Sequence, residues 1–478
     1  MGYENPTKSL LTVTKEALDN SLDATCDARI LPEIFISVKE IGIDKFRVRV
    51  EDNGPGIPEE KVPFALGKFL YGSKFHRLRQ SRGIMGLGIS GGVLYSQLTT
   101  GKPVKIITST GKKIHVFELM IDVTRNEPHI ISHLIQKNPE KWHGIKIEMN
   151  VEGRYMERTQ SILEYLKQTA IANPFAHMVY DGPNGKIEFS RTVDELPKIP
   201  KEIKPHPYGV EIGVLKRMLL LTKARNLLAF LTSDFSRVGR RSAEQICRLA
   251  KIEFSRNTKN LKVEEIERLH KAIQMVKLIA PPTNCLSPLE ERLIEEGLKK
   301  EIDAEYYIGV LRPPTVYRGY PFQISVGLAY GGNLPPNTTC QLIRFANKIP
   351  LLYHQGDCAI TQAVTEIDWR RYGLQQSSWT LPIGPLTILV HFASVWVPFT
   401  TEGKQAIAAY PEIIREFKLA LQDAGRKLAK FVRQKRKHKE RFLRKQLFER
   451  YTPVVAEGLS KLTKKDQKTI LNKEEWKQ

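Results

Sequence analysis

Cysteine is scarce and scattered. Cys26, Cys247, Cys285, Cys340 and Cys358 form no C-x-x-C pair, which disfavours a zinc site and a disulfide framework and leaves free thiols as the expectation. Long apolar runs are also missing. The longest uncharged one, roughly 387–399, is too short to span a bilayer and contains His391, and its composition suits a buried strand. The N-terminal residues Met1 to Pro6 supply neither a basic nor an apolar leader region, and Pro6 stands where a myristoylation signal needs Ser or Thr. We therefore expect no membrane partner and a cytoplasmic chain. Acidic residues are outnumbered: 74 Lys and Arg face 52 Asp and Glu, a net charge of +22, so a polyanion is the first partner to consider. With 478 residues the chain exceeds what one core serves, and two to four domains follow.

The pattern along the chain divides it. Residues 1–204 alternate helical segments with short strands and glycine clusters near Gly54 and from Gly83 to Gly92, as expected of an α/β domain. A Pro- and Lys-rich break at 197–204 leads into helical patterns over 210–221, 224–231, 242–250 and 263–278, a small helical domain over 205–282. After Ala280-Pro281-Pro282-Thr283, strand patterns return at 322–328 and 386–396, which predicts a mixed α/β domain over 283–450. A long helix is expected over about 405–450, followed by a basic, frayed tail over 451–478. From Arg426 to Arg450 there are 12 Lys or Arg and 2 Glu, a run that fits a solvated helical face or a contact with DNA or a partner.

Three short motifs carry chemistry. Asn5-Pro6 caps a helix predicted to run to about Ala28, which puts Glu16, Asn20 and Asp23 on one face. At i, i+4, i+7 they form a row able to orient water beside a hard cation, or simply the polar face of an amphipathic helix. In the strand pattern from Phe46 to Val50, period-two alternation sends Asp52 inward with Phe46, Val48 and Val50. A buried carboxylate needs a donor, such as a purine's exocyclic amine, and Asn53-Gly54-Pro55-Gly56-Ile57 gives a slim turn against which a flat ring can lie, or simply a plain turn, since Asp-Asn-Gly-Pro is turn chemistry in any case. The run from Arg82 through Gly83, Gly86 and Gly88 to Gly92 lets several backbone amides face one anion ahead of a helix expected to start near Val93; a flexible connector fits as well. It is not a Walker loop, since no Gly-Lys-Ser/Thr follows.

Together, in this order and spacing, the motifs resemble the GHKL ATPases. The resemblance implies an ATP site in which Glu16 activates the attacking water, Asn20 holds Mg²⁺, Asp52 reads adenine, and the segment Gly83, Ile84, Met85, Gly86, Leu87, Gly88, Ile89 and Ser90 covers the phosphates. Longer runs resemble the B subunits of topoisomerase VI: Tyr71-Gly72-Ser73-Lys74-Phe75, Arg82 to Gly88, Val93-Leu94-Tyr95-Ser96-Gln97, Pro205 to Gly209, Phe235 to Gly239, and Arg344 to Leu351. This implies an α+β multidomain fold, with a GHKL (Bergerat) α/β sandwich, a helix, two-turn, helix insert, and a βαβ transducer ending in a long helix. It also implies that Ser73 and Lys74 contact nucleotide and that Lys404, beside Gly403, is the switch lysine, with Lys348 a second candidate whose neighbours Ile349-Pro350 read as packing.

The family's activity would follow: ATP-driven dimerisation that captures one DNA duplex and passes it through a break made by an A subunit, in an A2B2 assembly. No Asp-x-Asp pair of the kind a metal-dependent cleavage domain uses occurs here. Two departures stand out. His143-Gly144-Ile145 replaces the family's usual Gly-Thr, so a hydroxyl contact beside adenine is in doubt and affinity is expected to be lower. The chain also begins almost at Asn5-Pro6, short of the arm that relatives extend to a partner protomer, which implies a weaker gate or a start further upstream. The competing readings are a non-hydrolysing B-like scaffold and a gyrase-type or mismatch-repair ATPase; presence of Glu16, Asn20, Asp52 and Lys404 disfavours the first, the helical insert the second.

Overall fold

The computed structural model describes residues 3, 5–71, 78–83, 86–157, 159–401, 403–463 and 467–468. Helix α1 (Pro6–Asp27) starts where the sequence requires: the Asn5 side chain accepts from the Thr7 amide at 2.9 Å, and Pro6 fills the first helical position. Its apolar stripe of Leu10, Leu11, Val13, Leu18 and Leu22 is buried.

That stripe packs on an eight-stranded sheet ordered β5-β4-β3-β6-β2-β1-β7-β8. The strands are β1 (Glu33–Gly42), β2 (Lys45–Asp52), β3 (Val104–Thr110), β4 (Lys113–Asp122), β5 (Glu127–Lys137), β6 (His143–Glu152), β7 (His177–Gly182) and β8 (Gly185–Phe189). The pair β1–β7 is parallel, the remaining neighbours antiparallel. With helices α2 (Val62–Gly67), α3 (Gly88–Thr100) and α4 (Ile162–Ala172) this makes a two-layer sandwich. In β2, burial alternates as the period predicts, and Asp52 is 2% exposed.

Helix α3 corrects one expectation. It begins at Gly88, not near Val93, so Gly88, Ile89, Ser90, Gly91 and Gly92 are helical. Gly91 packs closely, since a Cβ there would stand 3.0 Å from the Tyr3 ring, whereas one on Gly92 would make only ordinary contacts.

The second unit is four helices, α5 (Ile212–Leu221), α6 (Leu227–Asp234), α7 (Arg240–Ala250) and α8 (Val263–Met275), around its own core of Leu215, Phe230, Leu231, Ile246 and Leu269. The third holds α9 (Glu291–Glu301), β9 (Tyr306–Leu311), β10 (Thr315–Tyr317), β11 (Tyr320–Tyr330), β12 (Gln341–Ala346), β13 (Ile349–Pro350), α10 (Ala359–Thr365) and β14 (Leu386–Ser394). Strand β14 pairs antiparallel with β11 and parallel with β12, and α10 lies in the crossover between them. It is buried at every residue because helices cover both faces of the sheet, as the unbroken apolar run predicts.

The last helix, α11, spans Pro411–Thr463 rather than about 405–450, and so takes in half of the segment expected to be tail. Pro411 sets the start, and Val454, Val455, Leu459 and Leu462 continue the helical sequence. Its first turns bury Ile413, Phe417, Leu421 and Leu428, and Gly425 sits under the Tyr372 ring, where a Cβ would lie 2.6 Å away. Beyond Lys435 the helix is almost wholly exposed, so about 40 Å of it projects from the body.

Candidate active site

Glu16 and Asn20, one turn apart on α1, face a cavity of about 850 Å³, within the roughly 300–1,000 Å³ that small-molecule sites occupy. Asp52, Pro55, Gly56 and Ile57 line it from the end of β2, Gly83, Gly86, Leu87, Gly88 and Ile89 from the glycine-rich segment, and Ile145 and Ile147 from β6. Pro350, Leu352, Tyr353, Gly403, Lys404 and Gln405 close it from the third unit. Glu16 and Asp52 thus share one cavity, and a loop from a different core completes the wall.

Each side chain is set by its element. At Gly88 a Cβ would come within 1.8 Å of Glu16 Oε2, so only glycine lets this carboxylate rest against the start of α3. Burial acts to push the Glu16 carboxyl up, but Lys15, whose Nζ is 3.6 Å from Oε1, and Lys404 outweigh it and hold the group below its ordinary value. An ionised carboxylate beside a helix N-terminus is the form that can accept a proton from water. Asp52 accepts from the Ser21 hydroxyl at 2.6 Å and from the Gly54 amide at 2.9 Å. Burial raises its pKa against those bonds.

The slim turn after Asp52 behaves as its composition implies. Gly56 has φ +72° and would place a Cβ 2.0 Å from the Ser109 carbonyl, so the turn lies directly on β3. Ile145 contributes an apolar wall at the position where the sequence resemblance put a hydroxyl contact in doubt. The nearby Thr108 hydroxyl is spent on backbone, donating to the Gly144 carbonyl at 3.1 Å and accepting from the Ile57 amide at 2.9 Å.

Lys404 stands in a left-handed conformation, φ +54°, and its Nζ donates to the Arg82 carbonyl at 2.9 Å, at the head of the glycine-rich segment. Three expected features lie elsewhere. Asp23 turns away from the cavity and pairs with Arg82 Nη1 at 2.9 Å, because a buried guanidinium 59 residues further along needs a counterion. Ser90 does not line the cavity; its hydroxyl donates to the Lys68 carbonyl at 3.2 Å. Lys348 is buried, with Nζ donating to the Ser287 hydroxyl at 3.3 Å. Ser73, Lys74, Ile84 and Met85 lie outside the described residues.

Sequence reasoning overlooked Lys15, whose only signal was its place beside Glu16. It also overlooked Asp19 and Tyr165: the Tyr165 hydroxyl, on the cavity wall, donates to both oxygens of Asp19 at 2.9 and 3.0 Å, and burial pushes the Asp19 carboxyl up to about 6. No local pattern links two residues 146 positions apart.

Comparison with known proteins gives matches to two families. Residues 5–125 match the histidine kinase-, DNA gyrase B- and HSP90-like ATPases. Residues 281–444 match the transducer of the topoisomerase VI B subunit. Among curated proteins, the type 2 DNA topoisomerase 6 B subunit of Archaeoglobus fulgidus is 43% identical over 98% of this chain and 78% of its own length. The B subunit from Methanosarcina acetivorans is 43% identical over 98% and 76%, and that from Pyrococcus horikoshii 39% identical over 98% and 91%.

Proposed function

The chain belongs to the family of type 2 DNA topoisomerase 6 B subunits, and on that premise we propose that it is the ATP-binding and ATP-hydrolysing subunit that drives DNA strand passage with an A subunit. The observation carrying this reading is the single cavity that combines Glu16, Asn20, Asp52 and the Gly83 to Ile89 segment with Lys404 of another core. In this reading the GHKL sandwich, the helical insert and the transducer divide near residues 204 and 282; each has a core of its own, and a further cluster in which Ile171 and Ala172 of α4 pack on Leu289, Ile294 and Leu298 joins the first to the third.

The donor set fits a magnesium nucleotide: a carboxylate and an amide oxygen one helical turn apart, amides of a glycine-rich segment, and a lysine. Glu16 takes the proton of the attacking water, and its lowered pKa keeps it ready to do so near neutrality. Asn20 is the protein ligand of Mg²⁺, which when bound would offset phosphate charge. Asp52 accepts from the adenine amine, and Ser73 and Lys74, with Ile84 and Met85 of the phosphate segment, belong to the nucleotide-binding set by resemblance alone; Ser90, buried against the Lys68 carbonyl, does not. The scaffold alternative has less support, since a decayed site has no reason to retain a carboxylate poised by two lysines.

Lys404 is the proposed switch. While a γ-phosphate is present its ammonium has an anionic partner; after hydrolysis it has not, and the loop leading into α11 is released. Two copies would close on ATP and trap a duplex, and two A subunits in an A2B2 assembly would break and reseal another. The basic, projecting part of α11 is the proposed arm towards the A subunit and DNA, with affinity that falls steeply with salt. No helix among the described residues is long and apolar enough to cross a membrane, and a cytoplasmic place beside DNA is proposed. The test is relaxation of supercoiled DNA with and without the co-purified A subunit. Relaxation that needs both ATP and the partner is expected; no ATP association by calorimetry at saturating Mg²⁺ overturns the reading.

A further inference from the structure

A second cluster of ligand-type side chains lies outside the nucleotide cavity, across the β4–β5 hairpin. His115 of β4 and His133 of β5 face one another, with His115 Nδ1 3.2 Å from His133 Nε2. Glu59, in the single helical turn after the Asp52 loop, brings Oε2 to 3.5 Å from the same His115 nitrogen. One ligand atom from each of the three residues lies within 4.8 Å of the others. For a metal bound at about 2.0–2.1 Å in tetrahedral geometry the ligand atoms stand roughly 3.3–3.5 Å apart, so two of the three edges already have close to the required length.

The imidazoles are held rather than loose. Phe117, buried next to them in the sheet, stacks on His133 with ring centroids 3.9 Å apart and planes 6° from parallel. The two imidazoles are themselves nearly parallel, at 5.5 Å and 21°. Side chains of His115 and His133 are 13% and 25% exposed and that of Glu59 49%, which leaves an open side from which an ion and a water can enter.

We propose that Glu59, His115 and His133 form a site for one divalent first-row transition ion of the Zn²⁺ type, with water as the fourth ligand. Two imidazoles and one carboxylate suit such an ion, whereas Mg²⁺ and Ca²⁺ prefer all-oxygen sets. The site uses no thiolate, so the scattered cysteines do not bear on it. No substrate-sized cavity among those described includes these residues, so the ion acts as a staple. It ties the turn Glu59–Lys61 to the hairpin, and both Lys61 of that turn and Ile57 just before it line the nucleotide cavity. Without the ion the two imidazoles share a hydrogen bond that the ion replaces.

The experiment is titration of the full-length, chelator-treated protein with Co²⁺ alone, read by the visible d–d absorption that a tetrahedral site intensifies, followed by displacement with Zn²⁺. One equivalent of Co²⁺, displaced by Zn²⁺, is expected for the wild type. The His115→Ala and His133→Ala proteins should lose at least tenfold in affinity and also the tetrahedral band, and Glu59→Gln should weaken binding several-fold. Circular dichroism and nucleotide binding of the variants, all altered at partly exposed side chains, establish that they are folded. Absence of a bound equivalent in the wild type, or an unchanged band in the folded histidine variants, overturns the proposal.

Discussion

Two turns of the transducer meet the nucleotide-binding unit, and each carries a lysine with left-handed backbone: Lys348 at φ +68° and Lys404 at φ +54°. Around Lys348 the polar groups are buried and mostly bonded to one another, His391 Nδ1 being an exception. Its amide donates to His391 Nε2 at 3.1 Å, Asn347 bridges the Ser81 and Ser394 carbonyls at 3.1 and 2.9 Å, and Gln80 and Ser287 exchange hydrogen bonds at 3.0 and 2.6 Å. Burial holds the His391 imidazole well below its ordinary value, so it is neutral and able to accept. Burial, seconded by Arg82, likewise lowers the Lys348 ammonium to about 8. Lys404 instead borders an open cavity and rests on one backbone carbonyl. In the proposed reading the first turn is a fixed joint, and the second holds a cation whose partner is exchanged. A charge can report on a ligand only where a ligand can reach it.

Substitutions in the open cavity and at the two turns separate their roles. The largest expected effect is at the chemical end of the open cavity: Glu16→Ala should lower ATP turnover by about 10²–10⁴-fold while nucleotide binding persists, and an unchanged rate in a steady-state ATPase assay would remove Glu16 as the base. Next, Lys404→Ala should cost about 10²–10³-fold in turnover, whereas Lys348→Met should leave turnover near the wild-type value. The same assay on both variants decides, and the reverse ranking would exchange the roles of the two turns. Asp52→Asn should then weaken ATP binding about 10–100-fold by calorimetry, the worth of one or two charged hydrogen bonds; equal affinity contradicts the adenine assignment.

The smallest effect sharpens the fixed joint. Lys348 titrates at about 8 in the folded protein against 10.5 for an ordinary lysine. Between those values the unfolded chain binds more protons, so the stability contribution of Lys348 rises with pH across that window and its burial penalty is fully present below pH 8. Denaturant midpoints of the wild type relative to Lys348→Met should therefore improve from about pH 8 to about pH 10, by roughly 1–2 kcal/mol once structural relaxation is allowed for. A difference independent of pH would show that Lys348 is not a buried cation.

What could be read in advance was local. Asn5-Pro6 and the apolar stripe located α1 because cap and periodicity act within a few residues, and alternation along β2 turned Asp52 inward for the same reason. Spacing also put Asp23 on the face of Glu16 and Asn20, yet it could not supply Arg82, whose buried charge draws Asp23 away. The glycines of α3 misled because their cost in a helix is visible in sequence, while the close approach of Glu16 to Gly88 and of Tyr3 to Gly91 is not. Lys404 was legible only through family resemblance; alone, it is one lysine among many.

By itself the sequence determined the caps, the strand faces, the positive balance and the set of residue types proposed to bind a nucleotide, since each depends on neighbours along the chain. Tertiary structure alone decided that a loop from one core would close a cavity on another, that Lys15 and Lys404 would hold Glu16 ionised, and that Lys348 would be buried instead. Those outcomes depend on which surfaces meet and how much water they exclude, and both are properties of the packed chain rather than of any segment of it.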